Sequence, residues 1–482
     1  MTSAGSAPDV FVHRINRRFF FGWLMVGAGA LILFASGPGQ SHTFGVFLTY
    51  VAEDLRLSHT EVSFAYGVAT LAAAFALPFA GRHVDRRGAR RVLAVVAVLL
   101  GAAAIAFGFV NGIVLLALGF AAVRYLGQGC LFLGASNIVA QWFERRRGFA
   151  LSLVWLGFSA SVALHPPFAQ WLIETVGWRE AWLWLGVSSW ALLLPVLWFI
   201  RNRPEDVGLR PDGAPAPERA AKRVQSPETT PKPSRTGKDA ARSEPPAVAA
   251  PPPEDRNDVE PGESSSPART VDSEVTGYTL RQALRTSAFW VIAIGLSLLA
   301  LLMTGLFFHQ VAVFQHRGLD PHVATNVFAI TAIVSVISAP VLGQIMDRTP
   351  SRLVFAGAQV VMGAALATLH LVEDVPTAIA YAIVFGLASA SVQANVGYLW
   401  ADYFGRRHLG SIQGTGQTVL IVGASLGPLP FSLSLDFTGD YSAALIGSAV
   451  LTAVVAVAAA LLLRYPGQPE PDSARGGGTG AA

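Results

Sequence analysis

Apolar positions in this chain come in long blocks separated by short polar connections. Twelve stretches of about 18 residues or more are predominantly apolar, over about 20–50, 59–82, 91–110, 113–142, 148–174, 178–200, 287–315, 321–346, 352–371, 375–403, 408–434 and 441–464. Runs of that length are membrane-helix candidates. Several exceed the ~20 residues a bilayer requires, so tilt, kinks or protrusion are expected. The first is interrupted at Gly37-Pro38-Gly39. Arg14, Arg17 and Arg18 precede it, and Ala28-Gly29-Ala30 is small enough for a signal cleavage site. The apolar run continues past Ala30, so an uncleaved helix is expected. The pattern predicts an all-α membrane protein of 12 transmembrane helices.

Composition supports the block pattern. Of 482 residues, 52% are hydrophobic and only 14% are charged, against about 25% charged in soluble domains. The single cysteine, Cys130, excludes a disulfide framework and any cysteine-based metal cluster. Basic residues outnumber acidic ones 35 to 31, and only Lys222, Lys232 and Lys238 are lysines. The arginines are unevenly placed. The even-numbered connections, the long central one aside, hold Arg82, Arg86, Arg87, Arg90, Arg91, Arg145, Arg146, Arg147, Arg348, Arg352, Arg406 and Arg407, while the odd-numbered ones hold Arg56, Arg179 and Arg317. That asymmetry predicts cytoplasmic even connections and cytoplasmic termini. It accounts for the basic balance as a topology signal, so no nucleic-acid partner is expected.

Residues 201–285 break the pattern. Within 204–267 lie 14 of the chain's 29 prolines, among Ser, Glu, Asp, Lys and Arg. Such a composition offers little apolar surface to offset ordering entropy, so a mostly disordered cytoplasmic linker is expected, serving as tether or as a regulatory segment. Residues 279–286 read as a short amphipathic helix on the membrane surface. The expected organisation is an N-terminal six-helix bundle (1–200), this linker (201–285), a C-terminal six-helix bundle (286–465) and a disordered tail (466–482).

The two halves are copies at an offset of 261–262 residues. Pro78 and Gly81 recur as Pro340 and Gly343, Asp85-Arg86 as Asp347-Arg348, and Phe143 with Arg145-Arg146 as Phe404 with Arg406-Arg407. Pro166 recurs as Pro428, and Gly177 and Ala181 as Gly439 and Ala443. Two homologous bundles around a central pathway are a transporter architecture with its site near the midplane.

The loop after the second span reads Gly81-Arg82-His83-Val84-Asp85-Arg86-Arg87-Gly88-Ala89-Arg90-Arg91. It resembles the G-x-x-x-D-R-x-G-x-R-R signature of the major facilitator superfamily, in the family's position between spans two and three. A shorter copy, Gly343-x-x-x-Asp347-Arg348, falls between spans eight and nine. The resemblance implies that Gly81, Asp85, Arg86, Gly88, Arg90, Gly343, Asp347 and Arg348 form a cytoplasmic gate. Gly81 would permit close helix approach, and Asp85 would sit near a positive helix end.

Phe20-Phe21-Gly22-Trp23, Trp142-Phe143-Glu144-Arg145-Arg146-Arg147-Gly148, Arg203-Pro204-Glu205-Asp206-Val207-Gly208-Leu209 and Tyr403-Phe404-Gly405-Arg406-Arg407 together resemble the bacterial monocarboxylate transporter and oxalate–formate antiporter branch. That branch typically carries an arginine in span eight, often with an aspartate, and the oxalate–formate antiporters a lysine in span eleven. Spans eight and eleven here carry none of these.

Ionisable residues at membrane depth are costly and are functional candidates. Arg124 in span four, within Arg124-Tyr125-Leu126-Gly127-Gln128-Gly129, resembles the superfamily's span-four arginine motif. The resemblance implies a part in proton coupling or in holding the bundle together; Arg124 could also attract an anion by a bidentate contact or could bond structurally to helix carbonyls and neighbouring side chains. His309 in span seven, followed by Gln310, stands where members of the branch place a cavity residue, and could carry a proton or serve as a packing residue. His42, beside Gln40 and Ser41, is a candidate for the cavity or its mouth; His165, before Pro166-Pro167, reads as packing. The resemblance puts spans one, four, seven and ten on the pathway. That nominates Gln40, Gln128, Asn137, Gln310, Gln393, Asn395 and Tyr398, with Gln413 and Gln417 one turn apart in span eleven.

Every Asp and Glu falls in a loop, a tail or near a span end, which favours anionic or neutral cargo over cations. The expected function is secondary transport of a small organic anion, monocarboxylate-like, by alternating access with proton coupling. Export of amphipathic compounds is the alternative. The chain has no H-E-x-x-H, G-x-S-x-G or G-x-x-x-x-G-K pattern, so no enzyme, cofactor or metal is expected. The expected partners are a small-molecule substrate, a proton and the lipid bilayer, with a monomeric protein. The arginine and alanine bias suggests a GC-rich bacterial genome, hence a bacterial inner (plasma) membrane.

Overall fold

The computed structural model describes residues 12, 15–16, 19–213, 277–405 and 408–465. The expected disorder of residues 214–276 and 466–482, and Arg406 and Arg407, lie outside these. The helices in chain order are α1 (Gly22–Ala35), α2 (Ser41–Leu55), α3 (His59–Arg87), α4 (Ala89–Phe107), α5 (Ile113–Val123), α6 (Phe132–Trp142), α7 (Arg147–Val176) and α8 (Trp178–Phe199), then α9 (Leu280–Ala283), α10 (Ser287–His316), α11 (Pro321–Arg348), α12 (Ser351–His370), α13 (Val375–Phe404), α14 (Leu409–Leu426), α15 (Pro428–Thr438) and α16 (Ser442–Leu462). Among the described residues, eleven continuous or nearly continuous helical segments are long and apolar enough to cross a bilayer. The first traverse is different, because it is made of two short helices. α1 and α2 meet through a single 3₁₀ turn at Gly37–Gly39, where Pro38 removes a backbone donor. Phe75, Phe109, Trp198 and Phe437 are 72–84% exposed, which suits side chains that face lipid rather than water.

The sequence repeat is a structural repeat. α3 corresponds to α11, α4 to α12, α7 to α14 with α15, and α8 to α16. α4 packs on α8 as α12 packs on α16, and α1 on α7 as α10 on α14. Gly177 and Gly439 occupy the same turn in each copy with φ +82° and +72°, a region where a side chain would be strained. That requirement explains why this landmark recurs.

Polar caps close the helix ends. Ser58 accepts from the Glu61 N–H at 3.1 Å while Glu61 accepts from the Ser58 N–H at 2.8 Å, a reciprocal cap at the start of α3. Asp212, just after the first bundle, accepts from the backbone N–H groups of Glu144, Arg145 and Arg146. Partial burial pushes its carboxyl up, but the three donors outweigh this and hold it below the usual carboxylate range. Where the chain resumes, the Tyr278 N–H donates to the Phe404 carbonyl at 3.0 Å, beside a bridge between Gly277 and Gly405. The helical turn that follows, α9, is shorter than the 279–286 segment read from the sequence and is capped by Thr279.

Between the bundles, α2 packs on α10, α7 on α11, and α3 on α14 and α15. Among the described residues, four hydrogen bonds cross: Thr49 to Gln315 (3.0 Å), the Thr60 N–H to Asp436 (3.0 Å), Ser63 with His309 (3.4 Å) and His322 with Glu174 (3.0 Å). All four lie toward the face opposite the start of α1 and the end of α16. The bundles are therefore joined on that far face.

Candidate functional site

A cavity of about 370 Å³ lies between the bundles. Its polar lining is Gln40, Ser41 and His42 from the break in span one, Gln128 from span four, Thr304 from α10, Gln393 from α13 and Gln417 from α14. Phe132, Trp155, Phe158, Met303 and Phe307 form its apolar walls. Along α10 the division is sharp. Ala300, Met303, Thr304 and Phe307 face the cavity, at the i, i+3, i+4, i+7 spacing of one helix face. Phe308, His309 and Gln315 belong to the far-face seal, where Phe308 packs on Tyr66 at 4.5 Å between ring centroids.

His42 is the titratable side chain among the lining residues. Its Nε2 lies 3.2 Å from Ser161 Oγ, and Ser161 Oγ lies 3.1 Å from His165 Nδ1. Cavity, hydroxyl and a second buried imidazole thus form one connected line. His165 packs closely against Gly37, where a Cβ would stand 2.3 Å from its ring, and also bonds Ser161.

Arg124 begins a π-helical stretch, Arg124–Leu131, in the middle of span four. Wide turns of this kind are concentrated at functional sites. Arg124 is 3% exposed and is not among the lining residues, so it stands behind the cavity wall rather than on it. One Nη donates to Gly39 O and to Ser41 Oγ, each at 3.4 Å. The charge sits 4.8 Å from the centroid of the Tyr66 ring, and the Tyr66 hydroxyl is 2.6 Å from Ser41 Oγ.

The structure brings together Gln40, His42, Gln128, Gln393 and Gln417. Others among the residues expected on the pathway stand elsewhere. His309 is fully buried in the seal, 3.0 Å from Pro428 O and stacked on Phe431. Gln310 is enclosed in its own bundle, donating to Ala324 O and accepting from the Tyr381 hydroxyl. Asn395 donates to Ser391 O one turn back on its own helix. Asn137, Tyr398 and Gln413 are half-buried and are not among the cavity's lining residues. The sequence reading missed Thr304, Ser161 and the aromatic walls. Ser161 is 119 residues from His42, so no local signal could find that contact.

The gate motif makes its described contacts within one bundle. Gly88 (φ +81°) lies against Asn202, whose amide oxygen accepts from the Arg90 N–H at 2.8 Å. The Arg90 Nε donates to Leu197 O. Gly81 is 3.9 Å from the nearest Leu133 atom, measured from an ideal Cβ. Arg86, Asp347 and Arg348 are exposed, and an ideal Cβ on Gly343 would meet open space. The side chain of Asp85 lies outside the described residues.

The far-face seal contains the His322–Glu174 pair, half-exposed on both sides. Glu174→Gln is expected to raise labelling of an introduced Ser63→Cys, at a fully buried position, in a Cys130→Ser background, by less than about fivefold, because exposed pairs contribute about 0.2–1 kcal/mol. A larger rise would mean this pair dominates the seal.

Two six-helix bundles around a cavity between them, sealed on one face, are the architecture of a membrane transport protein. Residues 29–428 and 291–481 match the family model described as the Major Facilitator Superfamily, and the chain belongs to that family. It is similar to monocarboxylate transporter 11 of Mus musculus, at 30% identity over 169 residues, covering 35% of this chain and 38% of the relative. Monocarboxylate transporter 2 of Homo sapiens is 21% identical over 429 residues, covering 87% of this chain and 81% of the relative. A probable sulfoacetate transporter, SauU, of Cupriavidus necator is 26% identical over 163 residues, covering 32% and 36%. So the matches to the mouse and Cupriavidus proteins span well under half of those relatives, while the human one spans most of its length. Among solved structures, a bacterial homolog of the human lysosomal transporter Spinster, inward-facing and unoccupied, superposes with a TM-score of 0.61 at 14% identity, covering 91% of this chain and 95% of that one. The nucleoside transporter NupG superposes with a TM-score of 0.64 at 12% identity, covering 91% and 100%. These likenesses establish the fold; the relatives are transporters, not enzymes.

Proposed function

We propose that this chain carries a small, monocarboxylate-like organic anion across the cell membrane by alternating access, with a proton moving alongside. The observation that carries the reading is the cavity lining: an imidazole and amides with no carboxylate among the lining residues, and a buried guanidinium directly behind. The relatives named for monocarboxylates and for sulfoacetate support an anionic cargo. His42 takes the proton, since it touches the cavity and is joined through Ser161 to His165. His309 is assigned to the seal instead. With the arginine-rich connections in the cytoplasm, the sealed face is external and the protein is captured facing inward. The arginine bias supports a bacterial inner membrane.

The test is uptake of labelled lactate, oxalate and sulfoacetate into proteoliposomes under an imposed inward proton gradient. Gradient-driven accumulation of at least one is expected. Folded, reconstituted protein that moves none of the three would overturn the reading.

A second reading, export of amphipathic compounds, is favoured by one observation. An apolar crevice of about 240 Å³ opens between α7 and α11, lined by Leu156, Ala160, Ile333 and Ile337. A pocket of about 30 Å³ shares Ser159 and Ala332 with this crevice and Phe158 and Phe307 with the central cavity. Gradient-driven extrusion of a lipophilic dye, without anion uptake, would select this reading.

A further inference from the structure

We infer that the break in span one is the anchor for the anion's carboxylate, formed by the N-terminus of α2 with His42 and charged from behind by Arg124. The inference rests on the anion-transport reading and supplies what spans eight and eleven lack, a positive anchor in the membrane.

The first observation is an open helix end inside the protein. α2 has 15 residues, and its N-cap, Gln40, is extended (φ −105°, ψ 150°) with no side-chain cap. The Gln40 amide donates instead to Ser36 Oγ at 3.1 Å. The Thr43 and Phe44 N–H groups both reach back to Gln40 O. Among the described residues, the N–H groups of Ser41 and His42 have no acceptor, as the first turn of a helix leaves them. Ser41 and His42 both line the cavity. A helix N-terminus with free donors carries a partial positive charge and suits an anion.

The second observation is independent of the helix. Arg124 is 3% exposed, its Nε has no hydrogen-bond partner, and among the described residues no carboxylate forms an ion pair with it. A buried charge is normally paired. Here one Nη donates to Gly39 O, at the end of the 3₁₀ turn, and to Ser41 Oγ, on the first residue of α2, so the charge stands beside that helix start. Its placement is enforced by backbone contact. A Cβ on Gly39 would stand 2.4 Å from Val123 O and 2.9 Å from Gly127 Cα, and one on Gly127 would stand 3.0 Å from Gly39 Cα. The two glycines let the break of span one lie directly on the π-helical stretch of span four. Arg124 acts through Ser41 and is a positioning residue; His42 and the free N–H groups touch the anion. A carboxylate bound there would satisfy the open donors and supply the missing countercharge at once.

The test uses the full-length protein in proteoliposomes with labelled lactate, oxalate and sulfoacetate. Gln128 is exposed to the cavity, and its backbone nitrogen would stand 3.1 Å from a Cβ on Gly39. Gln128→Glu places a negative charge at the anchor without removing a buried contact. It is expected to raise KM at least about tenfold, the scale of losing a hydrogen bond to a charged group. Arg124→Gln is expected to do the same, with Arg124→Lys restoring part of the loss. Wild-type KM in both Gln128→Glu and Arg124→Gln overturns the anchor and leaves the transport reading intact. Should Arg124→Gln fail to fold, Gln128→Glu alone decides. A folded wild type that moves none of the three anions overturns both.

Discussion

Gly45→Val is expected to stop net uptake while leaving each bundle folded. Gly45 lies in α2 where it meets the other bundle, and a Cβ there would stand 2.5 Å from Phe307 O and 2.7 Å from Phe308 O. Those are backbone atoms and cannot rotate away. Gly67 in α3 is in the same position against Ser425 O, at 2.7 Å. Small residues at both points let the halves close without a gap. Overpacking of this kind costs about 1–3 kcal/mol. Because it falls on one conformation only, it shifts the balance away from the far-face-sealed state about 5- to 150-fold. The check is labelling of Ser63→Cys, at a position that is fully buried in the seal, in a Cys130→Ser background; it should rise as uptake falls. Gly101→Val is the contrast. A Cβ there would stand 2.1 Å from the Trp190 ring nitrogen within one bundle, so it should lower Tm rather than redistribute conformers. Wild-type uptake and unchanged labelling in Gly45→Val would refute the idea that the seal depends on this approach.

His42→Gln is expected to remove the response to the proton gradient. Glutamine keeps an amide that can bond Ser161 but has no titrating nitrogen. The charged groups facing His42 are Arg124 from span four and, when protonated, His165 from α7; Phe158 and Phe307 pack on the ring. An imidazolium exists below its pKa, so uptake in the wild type should rise as the pH on the substrate side falls. In His42→Gln that slope should flatten, and gradient-driven uptake should fall about 10- to 100-fold, the range for losing a bond to a charged group. Ser161→Ala, which interrupts the line to His165, should give a smaller loss in the same direction. Gradient-driven uptake of normal pH dependence in His42→Gln would exclude it as the proton carrier.

Much of the architecture was legible because lipid imposes it. Twelve apolar blocks, the Gly-Pro-Gly interruption and the recurrence of Gly177 as Gly439 are constraints that act residue by residue. The site was less legible because depth along a helix is not written in the sequence. Gln310 continues the cavity stripe of Met303 and Phe307 by a further turn. At that depth the face is covered by Ala324 and Tyr381, so the amide bonds inside its own bundle. His309 points away from that stripe toward Ser63 and Pro428. Gln417 reaches the cavity, whereas Gln413, one turn earlier, is not among its lining residues. The π-helical stretch at Arg124 was invisible to any 3.6-residue periodicity.

Asp212 and Tyr278 bear on how this chain can be built. Asp212 fastens the end of the first bundle to the 144–146 loop, and Tyr278 fastens the start of the second to Phe404. These loops occupy equivalent places in the two copies. Each half therefore carries its own clasp, made of its own residues. Two separately synthesised polypeptides, divided between residues 214 and 276, should assemble into a working carrier. The ancestral duplication would then persist as two modules that still recognise each other as partners when no peptide bond joins them.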